Sequence, residues 1–271
     1  MPRLAPLVKW PGGKTTIAPL IAEHYDRHLR YVSLFAGGLG DVMTIGPDRA
    51  SINDYWGPIV NLYQQIQNGL EAIAYEGTED RYYLARDEFN SQLGESTPET
   101  ANLLYYLLRT GYNGLVRTNK KGELNVPFGK PAKGDHKYLT DFSEYRAAFA
   151  NWEFTNLDFA EVAIAPDDFI YADPPYDPVT ASGKSFKYSS GFDWNDQVRL
   201  VHFLASKSNP TVVSNHATDR IVELYSDLGF TITTFTKTRA INCKGDGRKV
   251  GAIEMLAFRN TGIREYTKHF N

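Results

Sequence analysis

The 271-residue sequence predicts an α/β protein: a largely parallel sheet of buried strands flanked by helices, with a mostly helical insertion between the second and third strands. Three observations lead there. Short apolar runs end repeatedly at a polar residue, as strands buried on both faces of a parallel sheet do. Helical patterns alternate with those runs, as crossover connections require. The interval between Asp54 and Trp152 carries helical patterns but no clear strand.

Taken in order, a Gly-Gly turn at Lys9-Trp10-Pro11-Gly12-Gly13-Lys14 leads into a helix expected over 15–28. A strand over 31–35 ends in Leu34-Phe35-Ala36-Gly37-Gly38-Leu39-Gly40, and a second over 50–54 ends in Asn53-Asp54. Helices over 58–68, 79–93 and 98–109 fill the insertion, read as residues 55–151, with the Gly-, Asn- and Lys-rich stretch Thr110–Gly129 after them. The core, residues 1–54 and 152–271, resumes with strands over 152–158, 169–173 and 211–215 and a helix over 193–206. A helix over 219–228, with Thr218 as N-cap and Gly229 as its stop, precedes strands over 230–238 and 252–260.

Composition narrows the function. Apolar residues at 42% and charged residues at 23% are ordinary for a folded domain. A single cysteine, Cys243, rules out an internal disulfide and a multi-cysteine zinc site. A reducing, cytoplasmic setting fits. Neither a signal peptide nor a membrane span is expected, because prolines and Lys9 interrupt the N-terminal apolar residues. Net charge is −3, yet the positive charge is clustered. Arg117 to Lys137 holds six basic residues against two acids, and Lys237 to Lys249 holds five against one. Such local patches suit a polyphosphate whatever the total charge; by charge alone they also suit solvated loops.

The chemistry centres on Asp173-Pro174-Pro175-Tyr176 at a strand end. The prolines donate no backbone hydrogen bond, so the carbonyls before them are open to serve as acceptors. An acid beside a carbonyl forms a double acceptor for an amino group, and Tyr176 offers a face for stacking a planar ring. A rigid strand-end turn with a core tyrosine is the plainer reading. The glycines after the first strand permit close backbone approach to a ligand. Asp54 is placed to take ribose hydroxyls or to cap a helix, and Asp158 closes the third strand in the same way. The Lys9–Lys14 segment, alone, is a surface turn or an anion clamp.

Together these elements resemble the DNA adenine methyltransferases of the Dam type over nearly the whole chain. The resemblance is carried by KWPGGK, LFAGGLG, IND, RDEFN at Arg86–Asn90, TGYNGLVRTNKKGELNVPFG at Thr110–Gly129, DPPY, SNH at Ser214–His216 and TRAI…RKVGAIEML. It implies a Rossmann-like mixed seven-stranded sheet of the class I methyltransferase type, with 55–151 as a helical DNA target-recognition insertion. It also implies S-adenosyl-L-methionine as methyl donor, contacted by Trp10, Lys14, Asp54 and Asp173, with Phe35, Gly37 and Asp158 beside it. The expected reaction is methylation of adenine N6 in GATC within double-stranded DNA. Asp173 and the Pro174 carbonyl would accept hydrogen bonds from the two amino N–H groups, Tyr176 would stack on the flipped base, and Tyr112 would fill the gap left in the duplex. Arg117 and Lys9 are the expected guanine readers, Leu115 and Pro127 the thymine-methyl contacts, and Asn113 and Lys130 complete the DNA-binding set.

No metal is called for, since the donor is already a cation with a good leaving group. Neither a membrane nor an obligate protein partner is expected, and the setting is a bacterial cell or a bacteriophage genome. Three departures stand out: Leu39 where the family's F-x-G-x-G has its second glycine, Lys130-Pro131 in place of Arg-Tyr, and RAIN from Arg239 in place of an RSIS-like run. A non-catalytic DNA-binding relative would lack the acid, the tyrosine or the glycine loop. Methylation at another sequence or in RNA would use the same chemistry, and a nicotinamide oxidoreductase leaves DPPY unexplained.

Overall fold

A computed structural model describes residues 4–130, 140–178, 191–237 and 252–262. Its seven-stranded sheet has the order β3-β2-β1-β4-β5-β7-β6. The strands are β1 (Arg30–Ser33), β2 (Ala50–Asn53), β3 (Trp152–Thr155), β4 (Asp168–Ala172), β5 (Thr211–His216), β6 (Thr231–Lys237) and β7 (Ala252–Arg259). Neighbours from β3 to β5 pair in parallel, whereas β7 runs antiparallel to both β5 and β6. All seven expected strands are present, within a few residues of the expected ends.

The helices are α1 (Ala18–Ala22), α2 (Gly40–Ile45), α3 (Gly57–Gln67), α4 (Glu79–Ser91), α5 (Pro98–Thr110), α6 (Ser143–Phe149), α7 (Trp194–Ala205) and α8 (Asp219–Asp227). One expectation fails and another holds only in part. The helix over 15–28 contracts to the five residues of α1, because turns take up the chain on both sides. Thr218 holds the expected N-cap position of α8 with extended backbone, but its hydroxyl makes no capping bond; it donates instead to Asp177 Oδ2 at 2.8 Å. Two helices went unread in the sequence. α2 begins inside the glycine motif, and α6 is only seven residues long.

Alternation along the central strands builds a core on each face. Tyr31, Phe169 and Tyr171 point into the cluster beneath α1, α2 and α3. Val32, Ile170 and Ala172 point into the cluster beneath α7 and α8. α3 and α6 pack against β3, α3 and α4 pack against α5, and their apolar faces belong to the first cluster. At the end of the sheet where the central strands begin, Arg30 grips the buried Asp168 with bonds of 2.8 and 2.7 Å, tying β1 to β4.

After Thr110 the chain forms an irregular hairpin with bridges Gly111↔Phe128 and Thr118↔Leu124. Side chains of α4 hold it. Asn90 donates to the Leu124 carbonyl at 3.0 Å and accepts its N–H at 2.8 Å, and Tyr82 donates to the Val126 carbonyl at 3.0 Å. Asn90 thereby completes the hydrogen bonding of Leu124 as a neighbouring strand would, which gives the Arg86–Asn90 run a structural purpose.

Candidate active site

In an open α/β sheet, ligands bind beyond the carboxyl ends of the strands where the strand order reverses. Here that point lies between β1 and β4. The exit of β1 is the glycine loop and the exit of β4 is Asp173, so the two strongest sequence signals meet there.

The loop is shaped by contact with the N-terminal turn. A Cβ on Gly37 would lie 2.7 Å from Trp10 Nε1, and one on Gly38 would lie 2.6 Å from Trp10 Cβ, so any larger residue collides with the indole. Leu39 follows with φ +58, the left-handed N-cap of α2, and is fully buried. The position that departs from the family pattern therefore keeps a backbone suited to glycine while its side chain fills the core. Asp54 Oδ2 accepts the Gly37 N–H at 2.8 Å and Oδ1 accepts the Trp56 N–H at 2.9 Å, which ties the loop to the start of α3. Burial raises the Asp54 carboxyl above its ordinary value against those two bonds.

Asn53, not singled out beforehand as a functional side chain, staples three strand exits. Its amide donates to the carbonyls of Leu34 (3.1 Å) and Leu157 (3.0 Å). Its oxygen accepts from Thr155 Oγ1 (2.9 Å) and Leu157 N (3.0 Å).

Asp173 is engaged at both oxygens. The Lys14 ammonium, buried with 5% of its side chain exposed, lies 2.7 Å from Oδ2, and Ser214 Oγ donates to Oδ1 at 2.7 Å. Lys14 also donates to the Gly12 carbonyl at 2.6 Å and sits 4.7 Å from the centre of the Tyr176 ring. The opposing charge and the aromatic face compensate the burial of this cation. Gln197 Nε2 donates to the Pro175 carbonyl at 2.7 Å; among the described residues no donor reaches the Pro174 carbonyl. His216 packs edge-on to Tyr176 at 4.8 Å. Burial pushes the Tyr176 phenol well above its usual range, with Asp173 adding to the effect.

Asp158 does not join this group through its carboxylate. It caps the turn Phe159–Glu161 and is bound at both oxygens by Arg199, at 2.6 and 2.8 Å, which lowers its pKa. Phe35 packs between Phe159 and Phe192, 5.8 Å from each.

The candidate DNA-contacting residues gather on the hairpin and the N-terminal turn. Tyr112 is 42% exposed and opens a single 3₁₀ turn, Tyr112–Gly114, in which Asn113 has φ +53. A Cβ on Gly114 would come within 2.4 Å of Lys9 Cβ, so glycine there lets Lys9 lie against the turn. Arg117 is exposed and donates to Asn125 Oδ1 (2.7 Å) and O (2.8 Å), which holds its guanidinium flat beside the hairpin. Leu115 is half-buried, and Pro127 and Lys130 are exposed. Pro131, Lys133 and Lys137, the RAIN run and nearly all of the second basic window lie outside the described residues; Lys237 ends β6.

A family model described as D12 class N6 adenine-specific DNA methyltransferase matches residues 10–241. The chain is 31% identical over 258 residues to the DNA N-6-adenine-methyltransferase of Escherichia phage P1; the match covers 90% of this chain and 34% of that protein, about a third of its length. It is 31% identical over 288 residues to the Type II methyltransferase M.MjaIII of Methanocaldococcus jannaschii, covering 93% of this chain and 97% of the relative. With the DNA adenine methylase of Serratia marcescens it shares 28% identity over 255 residues, 88% of this chain and 93% of the relative.

Proposed function

This chain belongs to the D12 class N6 adenine-specific DNA methyltransferases, and from that premise we propose that it transfers a methyl group from S-adenosyl-L-methionine to an adenine flipped out of duplex DNA, in the sequence GATC. The observation that carries the reading is the meeting of Asp173 with the glycine loop at the reversal of strand order, with the Pro174 carbonyl next in the chain.

The residues fit such a donor. The loop brings backbone close without side chains in the way, Asp54 is an acceptor at the exit of β2, and Trp10 and Trp56 lie 5.8 Å apart beside it. When bound, S-adenosyl-L-methionine supplies a methyl group on an electrophilic sulfonium. The chain's task is then positioning and electrostatics. Asp173 accepts a hydrogen bond from one amino N–H of the adenine and the Pro174 carbonyl accepts one from the other. This draws the nitrogen toward a pyramidal geometry and frees its lone pair, which conjugation with the ring otherwise withholds. Tyr176 stacks on the extruded base, and the exposed Tyr112 enters the gap left behind.

Residues 55–151 act as the target-recognition part. In GATC-methylating relatives an arginine at the Arg117 position reads guanine, and apolar residues at Leu115 and Pro127 meet the thymine methyl; the hydrogen-bonding chemistry agrees. Lys9, Asn113 and Lys130 lie on or against the same hairpin and are assigned to DNA contacts.

The test is to incubate the protein with DNA and donor labelled in its methyl group, then identify the labelled nucleoside. N6-methyladenine is expected, with Asp173→Ala lowering turnover by several orders of magnitude. Expression in a host without GATC methylation, followed by a nuclease that cuts only methylated GATC, checks the sequence; uncut DNA that contains N6-methyladenine would remove GATC and leave the chemistry standing.

A further inference from the structure

Three consecutive residues at the end of β5 all reach the chain that leaves β4. Side chains alternate across a strand, so Ser214 and His216 approach from one face and Asn215 from the other. Ser214 Oγ donates to Asp173 Oδ1 at 2.7 Å. The carboxylate only accepts, so the single serine proton is committed there, and the bond of 2.8 Å between Ser214 Oγ and Tyr171 is donated by the tyrosine. Tyr171 is buried, which holds its phenol well above the usual range and protonated. Asn215, fully buried, accepts the Asp177 N–H at 3.1 Å and donates at 3.1 Å to Gln197, the residue that holds the Pro175 carbonyl. His216 Nδ1 donates to the Asp177 carbonyl at 2.8 Å and packs edge-on to Tyr176.

We propose that Ser214-Asn215-His216 is the positioning segment for methyl transfer: Ser214, supported by Tyr171, aims the Asp173 carboxylate, while Asn215 and His216 fix the following turn so that the Pro174 carbonyl and the Tyr176 ring keep their places around the amino group. The proposal rests on the reading of Asp173 as the acceptor of that amino group. Parallel pairing of β4 with β5, Ala172 opposite Val213, sets Ser214 next to Asp173 without any contribution from the binding loops. Fixing an acceptor on sheet rather than on loop gives the precision that a lone-pair alignment needs.

Ser214 touches neither substrate in this assignment, so its removal acts on the chemical step. Ser214→Ala is expected to lower the single-turnover methylation rate by roughly ten- to a hundredfold, the loss of one hydrogen bond to a charged group. Donor affinity and DNA affinity, measured by calorimetry and by fluorescence anisotropy, stay within about twofold of the parent protein. Ser214→Thr, which retains the hydroxyl, restores most of the rate. Tyr171→Phe lowers the rate by less, and Tyr171→Phe combined with Ser214→Ala is no slower than Ser214→Ala alone, because the tyrosine acts through the serine. Tyr171→Phe also stands in if Ser214→Ala does not fold.

A rate within twofold of the parent for Ser214→Ala would overturn the proposal. So would multiplication of the two single effects in the double variant, or a loss of DNA affinity as large as the loss of rate. Asp173→Ala is measured in parallel. If it retains the parent rate, the reading of Asp173 falls and takes the positioning role with it. If it is inactive while Ser214→Ala is unimpaired, only the positioning role falls.

Discussion

Leu39 sets two opposing terms against each other, and the structure says which wins. The backbone at Leu39 is left-handed, φ +58 and ψ +28, a conformation that costs an L-residue about 1–2 kcal/mol and glycine almost nothing. The side chain is fully buried in the cluster beneath α1, α2 and α3. Removing a buried leucine side chain costs about 2–5 kcal/mol once the residual cavity is counted. Leu39→Gly, which restores the family's usual glycine, therefore gains about 1–2 kcal/mol of strain relief against a packing loss of about 2–5 kcal/mol. The net expectation is destabilisation of up to about 4 kcal/mol, a fall in melting temperature of up to roughly 8 °C for a chain of this size. Leu39→Ala loses the same packing and keeps the strain, so it should unfold at lower urea than Leu39→Gly. Urea unfolding of the three proteins, followed by fluorescence, measures both differences. The reasoning is refuted if Leu39→Gly is more stable than the parent, which would put strain above packing. It is refuted equally if Leu39→Ala matches or exceeds Leu39→Gly, which would mean that the left-handed backbone costs nothing.

Other expectations follow from single contacts. Asp41 is buried, bonded by Tyr31 at 2.9 Å, and its carboxyl is pushed up from 3.8 to about 6 by burial, with Asp173 adding repulsion. The folded state then holds its proton more tightly than the unfolded state, so stability falls as pH rises through the window from 3.8 to about 6. Two pKa units amount to at most about 3 kcal/mol; Asp41→Asn should flatten the fall in urea midpoint between pH 4 and 6, and an unchanged slope would clear Asp41. Arg117→Ala should relax the choice of base at the guanine position by about 1–3 kcal/mol, read by methylation of duplexes with single substitutions; weaker binding to every sequence alike would mark a phosphate contact instead. Asn90→Ala strips Leu124 of both side-chain bonds, so discrimination between DNA sequences should drop while donor affinity holds; equal loss of both would show that α4 supports the whole fold. Binding to DNA should weaken with a slope of log K against log salt of about −0.9 per phosphate contact, and a binding constant indifferent to salt would remove the basic hairpin from the interface.

The sequence by itself determined the parts that are set locally. The strands were legible because several of them, those of the parallel part above all, are short apolar runs, and that pattern needs no knowledge of their neighbours. The glycine loop and Asp173-Pro174-Pro175-Tyr176 were legible because a ligand-approaching turn and a rigid double acceptor each demand particular residue types in one short stretch. Local patterning failed where a side chain's partner is distant. It continued α1 past Ala22, and it placed Thr218 correctly at the N-cap of α8 without showing that Asp177 takes its hydroxyl. It left Asp158 open although Arg199 holds both of its oxygens, and it gave no structural role to Asn53 or Asn90.

Only the tertiary structure settled those assignments, and it also decided where the chemistry meets. The strand order puts β1 beside β4 and β4 beside β5, which brings Lys14, Asp173 and Ser214 within hydrogen-bonding distance although they are far apart in the chain. Apolar periodicity is written residue by residue, whereas the partner of a buried charge or amide is chosen by whichever complementary group the packed sheet places within about 3 Å of it.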